Sequence, residues 1–255
     1  YFRGLLSATT KLLVLVKANA YGLGVGGFYY DGRSVADANV VGVLNVAGGA
    51  IDIYASSFSG TKNRVRGLLL GEGWYDKKTA TSKNLFTGYV NLSDGVISNR
   101  YGAVILGAGA AKGVWTQTGG AFVNDAAQTK GPMILGWLGG EGTYILSNGT
   151  VNVSSANVTT YVGGAETNLT PWVLEAQAPS SADAARGLLS LQGGTFTTAG
   201  DVVVGQDGDG TIEVLANAEI TRSVTVSNKV TLTDIPVKCM RPHPLGEGRK
   251  HLAGI

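Results

Sequence analysis

One phrase recurs along this chain and restricts its fold more than any other feature. It consists of two apolar residues two apart, a turn pair, and a further apolar residue. The copies are LNVAGGAI (44–51), VNLSDGVI (90–97), WTQTGGAF (115–122), YILSNGTV (144–151) and LSLQGGTF (189–196), with IEVLANAEI (212–220) as a looser sixth. The turn pairs end on Gly49, Gly95, Gly120, Gly149 and Gly194. Gly-Gly, Asp-Gly and Asn-Gly pairs supply the positive φ angles of tight turns. The alternation before each turn is that of a strand with one buried face. Only Gln117 breaks the apolar column.

Two further phrases keep step with the first. An apolar triplet closed by Gly occurs as LLLG (68–71), VILG (104–107), MILG (133–136) and VVVG (202–205), with TYVGG (160–164) as a variant. A Gly-acidic-Gly element precedes strands at 71–73, 140–142 and 208–210. The markers Gly49, Gly95, Gly120, Gly149, Gly194 and Asn217 are spaced by 46, 25, 29, 45 and 23 residues. Such periods signal solenoids or arrays. The long steps are about twice the short ones, so each holds either a whole extra coil or an inserted loop. The candidate inserts are 73–88 and 168–187.

These periods predict an all-β chain, a right-handed parallel β-helix (β-solenoid) with loop insertions. A coil of about 25 residues holds three short strands and cannot bury its apolar face alone, but a stack of coils can. The domain expected is 1–234, with 235–255 as a C-terminal extension or cap. The same letters allow an alternative. LNVAGGAIDI reads as a two-residue hairpin pairing Val46 with Ile51 and Leu44 with Ile53, and such hairpins repeated would build a sandwich or propeller.

Segments 140–153 (GEGTYILSNGTVNV) and 187–214 (GLLSLQGGTFTTAGDVVVGQDGDGTIEV) resemble bacterial surface β-helices built from Gly-x-Gly-Thr-Leu-x-Val-x-Gly-Gly-Thr-Val units. Autotransporter passenger domains are the familiar case. The resemblance covers residues 42–234. It implies a secreted or cell-surface bacterial protein with a structural or adhesive role.

Composition fits a turn-rich β chain. There are 39 Gly, and charged residues make up 15% of the 255, against roughly 25% in an average domain. The net charge of +2 is too small to argue for a nucleic-acid partner. Cys239 is the only cysteine, so no internal disulfide and no Cys-based zinc cluster is expected. The chain begins at Tyr1 and reads as a fragment or a processed product. No apolar run is long enough for a transmembrane helix.

Catalytic constellations are sparse. His243 and His251 lie in the Pro- and Arg-bearing tail, and no Ser/His/Asp grouping can be assembled. We therefore expect no enzyme activity, no metal and no cofactor. The alternative is a carbohydrate-active β-helix enzyme of the polysaccharide lyase or hydrolase type, which needs carboxylates, with Lys or Arg, along one groove. Trp74, Tyr75, Trp137 and Trp172 are candidates for stacking on a carbohydrate or other surface ligand. Asp207 and Asp209 supply too few oxygens for calcium and read as turn residues. Asn-x-Ser/Thr triplets at Asn91, Asn148, Asn152, Asn157 and Asn168 read as turn and strand chemistry in a bacterial chain. The apolar start YFRGLLSATTKLLVLV carries no polar cap, which raises an expectation of self-association into an oligomer or filament.

One stretch points elsewhere. LLVLVKANAYGLG (12–24) resembles the lysine-bearing strand of the alanine racemase family, which would make Lys17 a pyridoxal phosphate ligand in a barrel. Leu23 stands where that family has His, and no βα alternation follows. The repeat accounts for the same letters: Val14 and Val16 at strand positions, Lys17 to Asn19 as a turn, and Tyr21 beyond it. Lys17 is read as a turn residue.

Overall fold

The computed structural model describes residues 23–25, 40–53, 66–72, 74–76, 81–83, 86–100, 102–109, 111–126, 131–165, 185–206, 208–215, 218–220, 224–226, 230–233, 240–242 and 250–252. Among them every element is a strand, and most pairing is parallel. Among the described residues the structure is mostly parallel β-strand without helix, with its sheet curled on itself.

The strands recur in sets of three. Strand β1 (Leu23–Val25) precedes β2 (Val40–Ile53), which fills two positions, and β3 (Arg66–Glu72). A small hairpin follows, β4 (Trp74–Asp76) with β5 (Thr81–Lys83). The next set is β6 (Phe86–Asn99), again spanning two positions, and β7 (Ala103–Ala108). Then come β8 (Lys112–Gln117), β9 (Ala121–Asn124) and β10 (Met133–Trp137). The fourth set is β11 (Glu141–Leu146), β12 (Thr150–Val153) and β13 (Thr160–Val162). The fifth is β14 (Ala185–Leu191), β15 (Gly194–Thr198) and β16 (Val202–Val204). The sixth is β17 (Gly208–Val214), β18 (Ala218–Ile220) and β19 (Val224–Val226). Beyond it lie β20 (Val230–Thr233), β21 (Met240–Pro242) and β22 (Lys250–Leu252).

Each strand pairs in parallel with its counterpart in the next set, which makes three columns. The first column runs through β2, β6, β8, β11, β14, β17 and β20. The second runs through the ends of β2 and β6, then β9, β12, β15 and β18. The third runs through β1, β3, β7, β10, β13, β16 and β19. In the tail, β22 pairs antiparallel with β19, and β21 pairs with β22.

Two open questions in the sequence are answered by the pairing. The hairpin reading of LNVAGGAIDI is overturned. Leu44 lies beside Val90 and Ile51 beside Ile97, both in parallel, so Gly48-Gly49 turns a corner and does not reverse the chain. The long repeat steps hold insertions and not whole coils, because β6 pairs directly with β2 and β14 with β11. Hairpin β4–β5 belongs to the first insertion. The expected repeat at Val14–Tyr21 lies outside the described residues, as do Trp172 and Asn168.

The inward side chains of the three columns meet in one core. Val90, Trp115, Tyr144, Leu189 and Ile212 stack along the first column. Ile97, Phe122, Val151 and Phe196 stack along the second. Trp115 lies on Tyr144 with ring centroids 5.3 Å apart and 16° between planes, and its centroid is 4.6 Å from that of Phe122. Each fully buried side chain of this kind contributes about 1.5–3 kcal/mol. The third column differs: β7 and β10 are buried on both faces, while β13 and β16 return to an alternating pattern. Leu68 and Leu70 face the main core, while Leu69, Ile105 and Ile134 form a second buried cluster with Trp137.

Glycines set the corners. Gly42, Gly88, Gly113, Gly142, Gly187 and Gly210 share one register line in the first column. A Cβ on Gly142 would collide with the backbone N of Gly136 and the carbonyl of Leu106. Side chains are excluded there because the first and third columns touch backbone to backbone.

Candidate functional site

Of the four nominated aromatics, Trp74, Tyr75 and Trp137 fall in described strands. Trp74 and Tyr75 lie on β4, opposite Lys83 and Ser82 of β5. Trp137 is 2% exposed and packs in the second cluster with Ile105, Ile134 and Leu138. It therefore has no face to offer a sugar, and its nomination as a ligand contact is corrected. The cause is the two-sided burial of β10. Its indole Nε1 has no hydrogen-bond partner, nor has that of Trp115.

The turn glycines do come together. Gly49, Gly95, Gly120, Gly149 and Gly194 all have positive φ, from 67° to 93°. They stack so that a Cβ on Gly95, Gly120, Gly149 or Gly194 would meet the carbonyl oxygen of the glycine before it. Asp94 and Asn148 each accept a hydrogen bond from the following glycine N–H, at 2.7 and 2.8 Å. These residues build a structural corner.

The richest exposed chemistry is on the outer face of the first column, where strand alternation turns every second side chain outward. Three rows run along it. The first is Lys112, Glu141, Arg186 and Asp209, in register and alternating in sign. Lys112 Nζ donates to Glu141 Oε1 at 2.7 Å, with both side chains 46% exposed. The second row is Val43, Tyr89, Val114, Thr143, Leu188 and Thr211. At its end Val43 is 55% exposed, with Val41 beside it at 59%. The third row begins with Asn45 and Asn91, and Asn91 Nδ2 donates to Asn45 Oδ1 at 2.8 Å.

Of these residues sequence reading singled out only Asn91 and Asp209, neither as part of a surface, and Asp209, read there as a turn residue, lies in β17; the rows exist only once strands far apart in the chain are paired. The face is charged along one side and carries apolar side chains and threonines in the middle, and its third row runs on from the asparagines through Thr116, Ile145, the buried Ser190 and Glu213. It can grip an extended ligand by stacking and hydrogen bonding. The charge row brings carboxylates beside Lys and Arg, but its members neutralise one another in water. Among the described residues no three His, Cys, Asp or Glu side chains are grouped to hold a metal. No helix among them is long and apolar enough to cross a membrane.

No family model, curated protein or solved structure matches this chain.

Proposed function

We propose that this chain is a right-handed parallel β-helix of a secreted or surface-displayed bacterial protein, with a structural and adhesive role and no catalytic activity. The observation that carries the reading is the outer face of the first column. It is continuous and in register, and its central row is largely apolar and partly exposed around Tyr89 and Leu188. Such a strip suits an extended polymer, a polysaccharide above all, held along the stack. Self-association into an oligomer or filament through the ends of the stack belongs to the same proposal: among the described residues the antiparallel strand β22 covers only β19 of the third column, while β18 and β20 are the last strands of the other two.

The test is retention on insoluble and immobilised polysaccharides, for the wild type and for Tyr89→Ala with Leu188→Glu. Binding that the double variant loses at unchanged stability supports the reading. Equal binding by both proteins, or none by either, overturns the adhesive part.

A second reading, a carbohydrate-active enzyme, draws on the row Lys112–Glu141–Arg186–Asp209. Turnover of an acidic polysaccharide that Glu141→Gln abolishes would replace the first reading by this one.

A further inference from the structure

The three columns are unequal at the N-terminal end. The third column carries β1 beyond β3, pairing Leu23 to Val25 with Leu68 to Leu70. In the first two columns β2 pairs only with β6 among the described residues. The core is thinner there: Leu44, Ile51 and Ile53 are only partly buried, whereas Val90 and Ile97 below them are sealed. Val46 and Ile53 turn their carbonyls toward β6, accepting from Ser93 Oγ and Arg100 N. By strand alternation Val43 and Asn45 turn their N–H and C=O groups the other way, to the edge away from β6. Among the described residues this 14-residue strand, with Asp52 as its one charge, has no partner on that edge.

We propose that the β2 edge is the docking surface for the chain's own residues 3–15, which would add the two missing strands of the β1 set. Two observations select this occupant. The first is length. From Arg3 to Leu23 is 20 residues, and the other sets need 16 from Arg186 to Val202 and 21 from Lys112 to Met133. The second is sequence. Residues 3–7 read RGLLS, the same five letters as 186–190 of β14. Aligned on β14, Gly4 continues the glycine line over Gly42, Leu6 covers Leu44, and Ser7 lies over Asn45. The same alignment puts Leu13 and Leu15 in the second column.

The test is disulfide trapping in the full chain carrying Cys239→Ser. Ser7→Cys with Asn45→Cys should close an intramolecular disulfide on mild oxidation. Leu6→Cys with Asn45→Cys, on opposite faces, should not. Absent or equal closure in both pairs overturns the register. A disulfide joining two chains assigns the edge to a second copy and overturns the proposal. Amide exchange in the unaltered protein supplies an independent reading. The N–H groups of Val43 and Asn45 should exchange at least about 100-fold more slowly than in a free chain, as hydrogen-bonded amides do. Free-chain rates there would overturn the docking.

Discussion

Tyr144 donates its phenol hydrogen to Gln117 Oε1 at 2.6 Å, with both residues fully buried. Gln117 in turn donates through Nε2 to the carbonyls of Gly120 and Thr150, at 3.2 and 3.1 Å. The one polar residue in the apolar column is therefore satisfied by a neighbour on the next strand and by the turn. Burial pushes the Tyr144 phenol well above its ordinary range. The neutral form is the one the fold holds. Its contribution is intact below the unfolded value of about 10 and is lost as pH rises above it toward the folded value. Tyr144→Phe should flatten the alkaline fall in stability, measured by denaturant unfolding from neutral pH to above 10. At neutral pH it should cost about 1–3 kcal/mol, because Gln117 Oε1 is left unpaired.

The two kinds of glycine should respond differently to a methyl group. At Gly142 an added Cβ meets backbone on both sides, from Gly136 and Leu106. Backbone cannot step aside as a side chain can. Gly142→Ala should cost roughly 3 kcal/mol or more, at the upper end of overpacking effects. Gly49 has positive φ but nothing within 4 Å of an added Cβ. Gly49→Ala should cost only the left-handed backbone term, about 1–2 kcal/mol. Melting temperatures of the two variants give the order, and a reversed order would contradict the corner geometry.

Much of this fold is legible in local letters. The alternation of LNV, YIL and LSL marks strands with one buried face, and the glycines at 49, 95, 120, 149 and 194 mark the turns between them. Which strand pairs with which is not local. Leu44 could meet Ile53 or Val90, and nothing in LNVAGGAIDI separates the two; the choice is made by stacking against a segment 46 residues away. Trp137 was misread for a related reason. The triplet Met133-Ile134-Leu135 before it is buried on both faces, whereas the equally apolar Val202–Val204 leaves Val203 half-buried, so local letters do not show which side of β10 is covered. The row of Lys112, Glu141, Arg186 and Asp209 is invisible to any local window, since its members lie 23 to 45 residues apart.

That row should behave as a salt-sensitive register device. Exposed ion pairs contribute little singly, about 0–1 kcal/mol, and like charges directly opposite one another destabilise. Glu141→Gln should cost less than about 1 kcal/mol. Glu141→Lys would place three cations in line with Lys112 and Arg186. It should cost more than the Gln variant, and 1 M salt should erase most of the difference, since the Debye length there is about 3 Å. Unfolding at low and high ionic strength reads this directly. A difference that salt leaves unchanged would point to packing and away from charge.

Asn99 and Asn124 pose a sharper case, because they are buried in the second column and in register. Asn99 Nδ2 donates to Asn124 Oδ1 at 2.8 Å and to the carbonyl of Gly102 at 2.9 Å. Asn99 Oδ1 and Asn124 Nδ2 have no partner. The ladder stops because Ile53 and Val153 occupy the adjoining register positions. A buried polar atom without a partner costs about 1–3 kcal/mol, while replacing both partners by apolar groups is nearly neutral. Val153→Asn should therefore supply Asn124 Nδ2 with an acceptor and offset part of the loss of apolar burial. Asn99→Leu alone should destabilise, since it strands the Asn124 amide entirely. Asn99→Leu with Asn124→Leu should recover most of that loss. A double-mutant cycle by denaturant unfolding should show a coupling of about 0.5–3 kcal/mol between the two sites. Additive losses would mean that the two amides do not act as a pair.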